Sequence, residues 1–454
     1  MSHASMSNMT ASTDLWRAPK AAAPLNATVT IPGSKSLSNR YLILAAMGSR
    51  PVTLIGLLRS RDTELMMGAL ESLGVECRID DHEETTVTVV PPADGVFKGD
   101  SSVFCGLAGT VMRFVPALAL YADGPVRFDG DAQAYQRPMA PLLEGLEQLG
   151  AHIDYEGERG RLPFTLTPPE HVAGGEVSID SSGSSQFISG LLLAAPKLGN
   201  GLTLTHTGEH LPSLPHIRMT MADLSAAGVD VTMDDRTWTV RHGAVQLPER
   251  VVVEPDLSNA APFLGAALIA GGTVRVPNWP ETTTQPGGLL PGYLERMGAD
   301  VSVEVPGDGV RTLSVTSDGT IHGLGEFDLS AAGEIAPSLA AILVFADAPT
   351  SLVGIGHLRG HETNRLEALV TEIERVGGSA HELPDGLHID AVPSDVLHGA
   401  VMETYADHRM ATFAAMLGLR IDGIDVVNVA TTRKTIPDFV GLWTSMLGKD
   451  TSTN

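Results

Sequence analysis

Lysine is rare in this 454-residue chain, yet two lysines stand inside dense polar motifs, Lys35 in PGSKSLSNR and Lys434 in TTRKTIPDF. Arginines mark segments of the same kind: Arg40, Arg113, Arg137 in QRPM, Arg365 in HETNR and Arg409 in ADHRM. Arginine grips a carboxylate or phosphate with two parallel N–H bonds, whereas lysine acts as a point charge. A set of both types suits a site that holds several phosphates and carboxylates at once. Each of these cations taken singly also reads as a solvated surface residue.

The formal net charge of −24 at pH 7 sharpens the question. A chain this acidic is a poor non-specific ligand for nucleic acid, because that affinity rests on neutralising phosphates. If its substrates are anions, the few cations must be gathered where they are needed.

The elements that would gather them recur. A small-polar cluster followed by an apolar helical stretch occurs six times. The clusters are Gly33-Ser34-Lys35-Ser36, Ala108-Gly109-Thr110, Ser181-Ser182-Gly183-Ser184-Ser185, Asp256-Leu257-Ser258, Asp328-Leu329-Ser330 and Asp407-His408-Arg409. Successive clusters lie about 70–80 residues apart, as repeated supersecondary units do. Short runs rich in Val, Thr and Ile, such as ETTVTVVPP and GLTLTHTG, read as strands between them. Second, amphipathic helices such as MAPLLEGLEQLGA and NRLEALVTEIERVGG end at a glycine that suits a helix C-cap. A helix start capped by Ser, Asp, Gly or Thr leaves N–H groups pointing outward, and several aimed at one place bind an anion without net positive charge. One such start by itself is an ordinary cap.

The length predicts two domains, and the six recurring units divide them into three units each. Hydrophobic residues at 43% and charged residues at 19% are globular composition. No apolar run is long enough for a membrane span, and the polar opening MSHASMSNMTASTD lacks the apolar core of a secretory signal. A cytoplasmic protein is therefore expected. Its two cysteines, Cys77 and Cys105, argue against a disulfide scaffold, and Cys105 reads as a small core residue rather than a nucleophile. No Cys/His cluster has zinc spacing, so no metal is expected.

Seven segments occur in the order seen in 5-enolpyruvylshikimate-3-phosphate synthases: PGSKSLSNR, LAGTVMR, QRPM, SGSSQF, HETNRL, YADHRMA and TTRKTIPDF. The chain resembles that family from about Pro32 to Phe439. The resemblance implies an α/β fold of two similar domains, each of three βαβαββ-type units with helices inside and sheets outside, an inside-out barrel-like arrangement. The first domain would span 33–253 and the second 1–32 plus 254–446, with 447–454 a tail. It implies transfer of the enolpyruvyl group of phosphoenolpyruvate to the 5-hydroxyl of shikimate 3-phosphate, with release of phosphate and no cofactor. Lys35 would touch both substrates. Ser36, Arg40, Ser184, Ser185, Gln186, Ser213, Glu334 and His361 would hold shikimate 3-phosphate, and Gly109, Arg137, Gln186, Arg365, Arg409 and Lys434 phosphoenolpyruvate. Glu334, where many relatives carry Asp, would accept the proton of the attacking hydroxyl, and Lys35 or Glu362 would protonate C3. Lys35 and Ser184 would fall on one domain and Glu334 and Arg409 on the other, so that the site forms on closure.

Departures from the family pattern are His357 for a frequent Asn, His361 for a frequent Lys, Asn364 for an acid, and Phe114 for a Pro. A purely structural role is the alternative for both histidines. Glyphosate, an anion that resembles phosphoenolpyruvate, would find room beside Gly109 and is expected as an inhibitor. A monomer is expected. The rival readings are a UDP-N-acetylglucosamine enolpyruvyl transferase, whose loop cysteine is missing from DGDAQAYQRP, and a non-catalytic subunit-contact domain; an RNA-phosphate cyclase is disfavoured by the charge.

Overall fold

Five of the six small-polar clusters start α-helices directly, Lys35–Met47, Gly109–Leu118, Gln186–Ala194, Leu257–Ala270 and His408–Gly418, while Asp328-Leu329-Ser330 starts a kinked 3-10 segment, Ser330–Ile335, that runs into the Ala336–Leu343 helix. These helices are apolar on nearly every side and are buried along almost their whole length, as a central helix must be. The computed structural model describes residues 14–211, 213–305, 307, 309–360 and 362–448. The chain divides into two compact units. One comprises residues 31–257 and 278–288; the other comprises the chain up to Thr30, Ser258–Pro277, and the chain from Leu289 onward.

In the 31–257 unit, the Ser101–Phe104 and Val126–Asp129 strands flank the Gly109 helix and run parallel. The Ala140–Gln148 helix follows, and then the His152–Tyr155 and Phe164–Thr167 hairpin completes a four-stranded sheet. This βαβαββ unit repeats from Gly175 to Val240. In the unit's remaining sheet the edge strand arrives from far along the chain: Arg250–Val252 pairs in parallel with Val52–Ile55. The strands alternate buried and half-buried residues, one face on the central helices.

The other unit repeats the plan. Leu25–Thr28 supplies the parallel edge strand beside Gly272–Pro277. Gly325–Asp328 begins a complete repeat that ends with the Ala380–Leu383 and Gly386–Ile389 hairpin. The last sheet has three strands, Leu15–Arg17 beside Asp425–Val427 beside Val401–Met402. The N-terminal arm thus gives this unit two strands. The glycines that end the amphipathic helices take the left-handed backbone a C-cap needs, for example Gly150 at φ 97° and Gly298 at φ 106°. Among the described residues no helix is long and apolar enough to cross a membrane. Cys105 is fully buried, and burial pushes its thiol up to about 12, which suits a core residue.

Candidate active site

The 31–257 unit carries the candidate residues Lys35, Ser36, Arg40, Gly109, Arg137, Ser184, Ser185, Gln186 and Ser213, most of them near the starts of its three central helices. Ser34 caps the Lys35 helix, its Oγ accepting from the Leu37 amide at 3.4 Å. Gly33 is required there, since a Cβ would run into the Gly56 carbonyl oxygen. Ala108 and Ser185, ahead of the other two helices, make no side-chain cap. Lys35 Nζ lies 3.3 Å from Asp62 Oδ2, at the start of the Arg61–Ser72 helix. The Asp62 side chain is only 18% exposed.

Around Gly109 three polar side chains converge. A Cβ on Gly109 would lie 2.9 Å from Arg137 Nη2 and 3.1 Å from both Arg113 Nη1 and Gln186 Oε1. Arg113 Nη1 donates to Gln186 Oε1 at 2.8 Å, Nη2 donates to the Pro138 carbonyl at 3.3 Å, and the guanidinium sits over the Phe187 ring. Burial, and then the neighbouring Arg137 charge, lower the Arg113 pKa to about 9. Arg137 Nη1 donates to the Leu107 carbonyl at 2.6 Å. Two guanidiniums held side by side repel, and an anion bound at Gly109 would relieve that repulsion.

Ser184 and Ser185 lie in a turn pinned from below. Ser181 donates its N–H to His206 Nδ1 at 3.1 Å and its Oγ–H to the Ser184 carbonyl at 2.6 Å. Ser184 Oγ accepts from the Gln186 amide at 3.2 Å. His206 is buried, and nothing in the sequence motifs singled it out. Ser213 is exposed and left-handed, φ 53°, just ahead of the Leu214–Ala226 helix.

Arg40 is buried and already engaged by protein. Its Nε donates to Thr220 Oγ1 at 2.8 Å, Nη1 to the Ser36 carbonyl at 3.0 Å, and Nη2 to the His216 carbonyl at 3.1 Å. Phe114 packs under it, the guanidinium 5.4 Å from the ring centroid. Burial lowers the Arg40 pKa to about 10, against the pull of Asp223. Asp223 is buried with Oδ2 unpaired, and burial raises its pKa to about 7 despite Arg40. An acid whose folded pKa is raised binds more protons folded than unfolded, so stability falls as pH rises from about 4 to about 7. Asp223→Asn is therefore expected to flatten that fall, by at most ~4 kcal/mol across the window. Thermal melts of both proteins between those pH values check it; parallel curves would show that Asp223 is ionised throughout.

The candidate residues Glu334, Glu362, Arg365, Arg409 and Lys434 lie in the other unit. Arg365 opens the Arg365–Arg375 helix and is almost wholly buried, its side chain 2% exposed. It grips Asp407 in a fork, Nε to Oδ2 at 2.7 Å and Nη2 to Oδ1 at 3.2 Å, and Nη2 also donates to Glu362 Oε2 at 2.8 Å. Lys434 Nζ donates to Glu362 Oε1 at 2.6 Å. Asp407, fully buried, caps the His408–Gly418 helix by accepting from the Arg409 amide at 2.9 Å. Arg409 Nη2 reaches Glu334 Oε2 at 3.3 Å. The structure thus brings Glu334, Glu362, Arg365, Arg409 and Lys434 into one network, with Asp407 at its centre. His361 lies outside the described residues.

Charge is unevenly settled in this network. Burial pushes the Glu362 carboxyl up, but Lys434 and Arg365 outweigh it and hold the group well below the usual carboxylate range. Glu362 is then a fixed anion that spaces two cations, an awkward proton donor at neutral pH. Burial and the Arg409 charge keep the buried His408 neutral. Glu334 sits in a kinked 3-10 segment, Ser330–Ile335, with its side chain 36% exposed. The His357 imidazole packs on Gly333, where a Cβ would be 2.9 Å from its Nε2. Burial lowers the His357 pKa against the attraction of Glu334.

The comparisons with known proteins agree with these motifs. The family model described as EPSP synthase (3-phosphoshikimate 1-carboxyvinyltransferase) matches residues 19–443. A 3-phosphoshikimate 1-carboxyvinyltransferase of Bifidobacterium longum is 75% identical over 439 residues, covering 96% of this chain and 98% of that protein. One from Kocuria rhizophila is 48% identical over 453 residues, covering 96% of this chain and 97% of its own. A solved EPSP synthase structure from Acinetobacter baumannii superposes with a TM-score of 0.82 at 25% identity, covering 95% of this chain and 98% of that one. With both its helix-start motifs and its repeated architecture accounted for, the chain belongs to the EPSP synthase family.

Proposed function

We propose that the two sets of residues divide the work of one enolpyruvyl transfer. The chain transfers the enolpyruvyl group of phosphoenolpyruvate to the 5-hydroxyl of shikimate 3-phosphate and releases phosphate, a step of chorismate and aromatic amino acid biosynthesis. In this reading Lys35, Ser36, Ser184, Ser185, Gln186, Ser213 and His361 hold shikimate 3-phosphate. Arg40 shapes that surface through its bonds to the Ser36 and His216 carbonyls. Gly109, Arg137, Arg365, Arg409 and Lys434 hold phosphoenolpyruvate. Glu334 takes the proton of the 5-hydroxyl as it attacks C2. Lys35 is better suited than Glu362 to protonate C3, because Glu362 is locked as an anion between Arg365 and Lys434. The tetrahedral intermediate then expels phosphate, and the cations stabilise its charge.

The observation that carries the reading is the pairing of scarce cations in so acidic a chain: Arg113 beside Arg137, and Arg365 and Lys434 joined by one carboxylate. The deciding experiment is phosphate release from phosphoenolpyruvate with shikimate 3-phosphate, repeated with UDP-N-acetylglucosamine. Turnover with only the second acceptor would reverse the assignment; turnover with neither would favour a subunit-contact domain.

Glyphosate is proposed to compete with phosphoenolpyruvate beside Gly109. In Gly109→Ala the new methyl would press on Arg137, Arg113 and Gln186 together. Glyphosate inhibition is expected to weaken by about tenfold or more, with a smaller rise in KM for phosphoenolpyruvate, a cost of about 1–3 kcal/mol for one added carbon in a filled space. Equal inhibition constants in the two proteins would refute the steric argument. The enzyme is proposed to act in the cytoplasm as a monomer, which light scattering across a concentration series tests.

A further inference from the structure

Glu372 is a fully buried carboxylate that the mechanism does not use. It lies on the Arg365–Arg375 helix, seven residues after Arg365 and on the same buried face, with Leu369 between. That spacing sets Glu372 about 10 Å along the helix from Arg365. Three donors converge on it: Tyr405 Oη–H to Oε1 at 2.8 Å, the Glu403 amide to Oε2 at 3.2 Å, and Arg375 Nε to Oε2 at 3.0 Å.

The segment it holds is the one that delivers Asp407 and Arg409. Tyr405 and Ala406 are consecutive non-glycine residues in left-handed backbone, φ 54° each. L-residues avoid this conformation, and it persists only where the surroundings impose it. The surroundings are identifiable. At one end Glu372 binds the Glu403 amide and the Tyr405 hydroxyl; at the other, Arg365 forks onto Asp407. Between them, the Asp407 amide donates to the Thr404 carbonyl at 2.8 Å, and Thr404 Oγ1 donates to the Val427 carbonyl at 2.9 Å. One rigid helix thus holds both ends of the turn.

We propose that Glu372 is a positioning residue for the transfer reaction: with Tyr405 it clamps the 403–407 turn in the strained shape that sets Asp407 and, through it, Arg409. The proposal rests on the assignment of Arg409 to phosphoenolpyruvate. It concerns no contact of Glu372 with substrate.

The test uses the full chain with Tyr405→Phe and Glu372→Gln. Tyr405→Phe removes one hydroxyl from a partly exposed ring, so it decides the matter should Glu372→Gln fail to fold. In both, KM for phosphoenolpyruvate is expected to rise about tenfold, the scale of losing a hydrogen bond to a charged group. The dissociation constant of shikimate 3-phosphate, measured by calorimetry, is expected to stay within twofold. Amide hydrogen exchange at 403–409 is expected to accelerate. A merely structural Glu372 would lower the melting temperature and leave the KM for phosphoenolpyruvate unchanged, which overturns the proposal. Arg409→Lys, measured in parallel, separates the failures. If it raises that KM while the other two variants do not, the clamp is wrong and the role of Arg409 stands. If none of the three raises it, the role of Arg409 fails and the clamp with it.

Discussion

Replacing Glu334 by Gln is expected to lower kcat by about a thousandfold, within the range of 10²–10⁴ that a positioned general base contributes. Glutamine keeps the shape of the side chain and an oxygen that can accept from Arg409, whose Nη2 lies 3.3 Å from Glu334 Oε2. It cannot take the proton of the attacking hydroxyl. The loss should therefore fall on kcat, with little change in the affinity for shikimate 3-phosphate. His357 packs on Gly333, and burial lowers its pKa, so it adds no charge of its own near neutral pH. Single-turnover quench measurements of enolpyruvyl product check the prediction, and a kcat within tenfold of the parent protein would remove Glu334 from the proton step.

The second large effect is expected at Arg365. In Arg365→Met, Asp407 loses a two-bond partner inside the protein, and Glu362 loses one of its two cations. Breaking one side of a buried ion pair costs about 3–5 kcal/mol, because the remaining charge is stranded away from water. The unit that carries it should unfold at distinctly lower temperature, and kcat/KM for phosphoenolpyruvate should fall at least about a hundredfold, the scale of losing one preorganised charge donor. Arg365→Lys separates the two losses. It restores a cation but not the planar fork, so part of the stability should return while kcat/KM stays low. Calorimetric melts with steady-state kinetics on both variants read the outcome. A normal melting temperature in Arg365→Met would mean that Asp407 is protonated or hydrated, contrary to the buried pair.

Much of this was written locally in the chain. The small-polar clusters containing Lys35, Gly109, Ser185, Ser258 and His408 marked helix starts because side-chain polarity and apolar periodicity act within a few residues, and the one at Ser330 marked a 3-10 turn leading into its helix. The glycine that ends each amphipathic helix and the βαβαββ order were legible for the same reason. So were the types of chemistry, since scarce Lys and Arg inside polar motifs of an acidic chain already point to anionic ligands.

What tertiary structure decided is which charge faces which. The sequence puts Arg40 in a substrate-like motif, but only folding brings Thr220 and the His216 carbonyl to its guanidinium. Glu362 reads as a proton donor until Lys434, 72 residues on, is found bonded to it. Phe114 departs from the family pattern by sequence, and its use, packing under Arg40, appears only across two helices. The edge strands Arg250–Val252 and Leu25–Thr28 likewise complete sheets far from their neighbours in sequence. Local patterns encode what a segment is, because hydrogen bonding and side-chain periodicity are short-ranged; partners, burial and hence protonation depend on how distant segments meet, which no local pattern records.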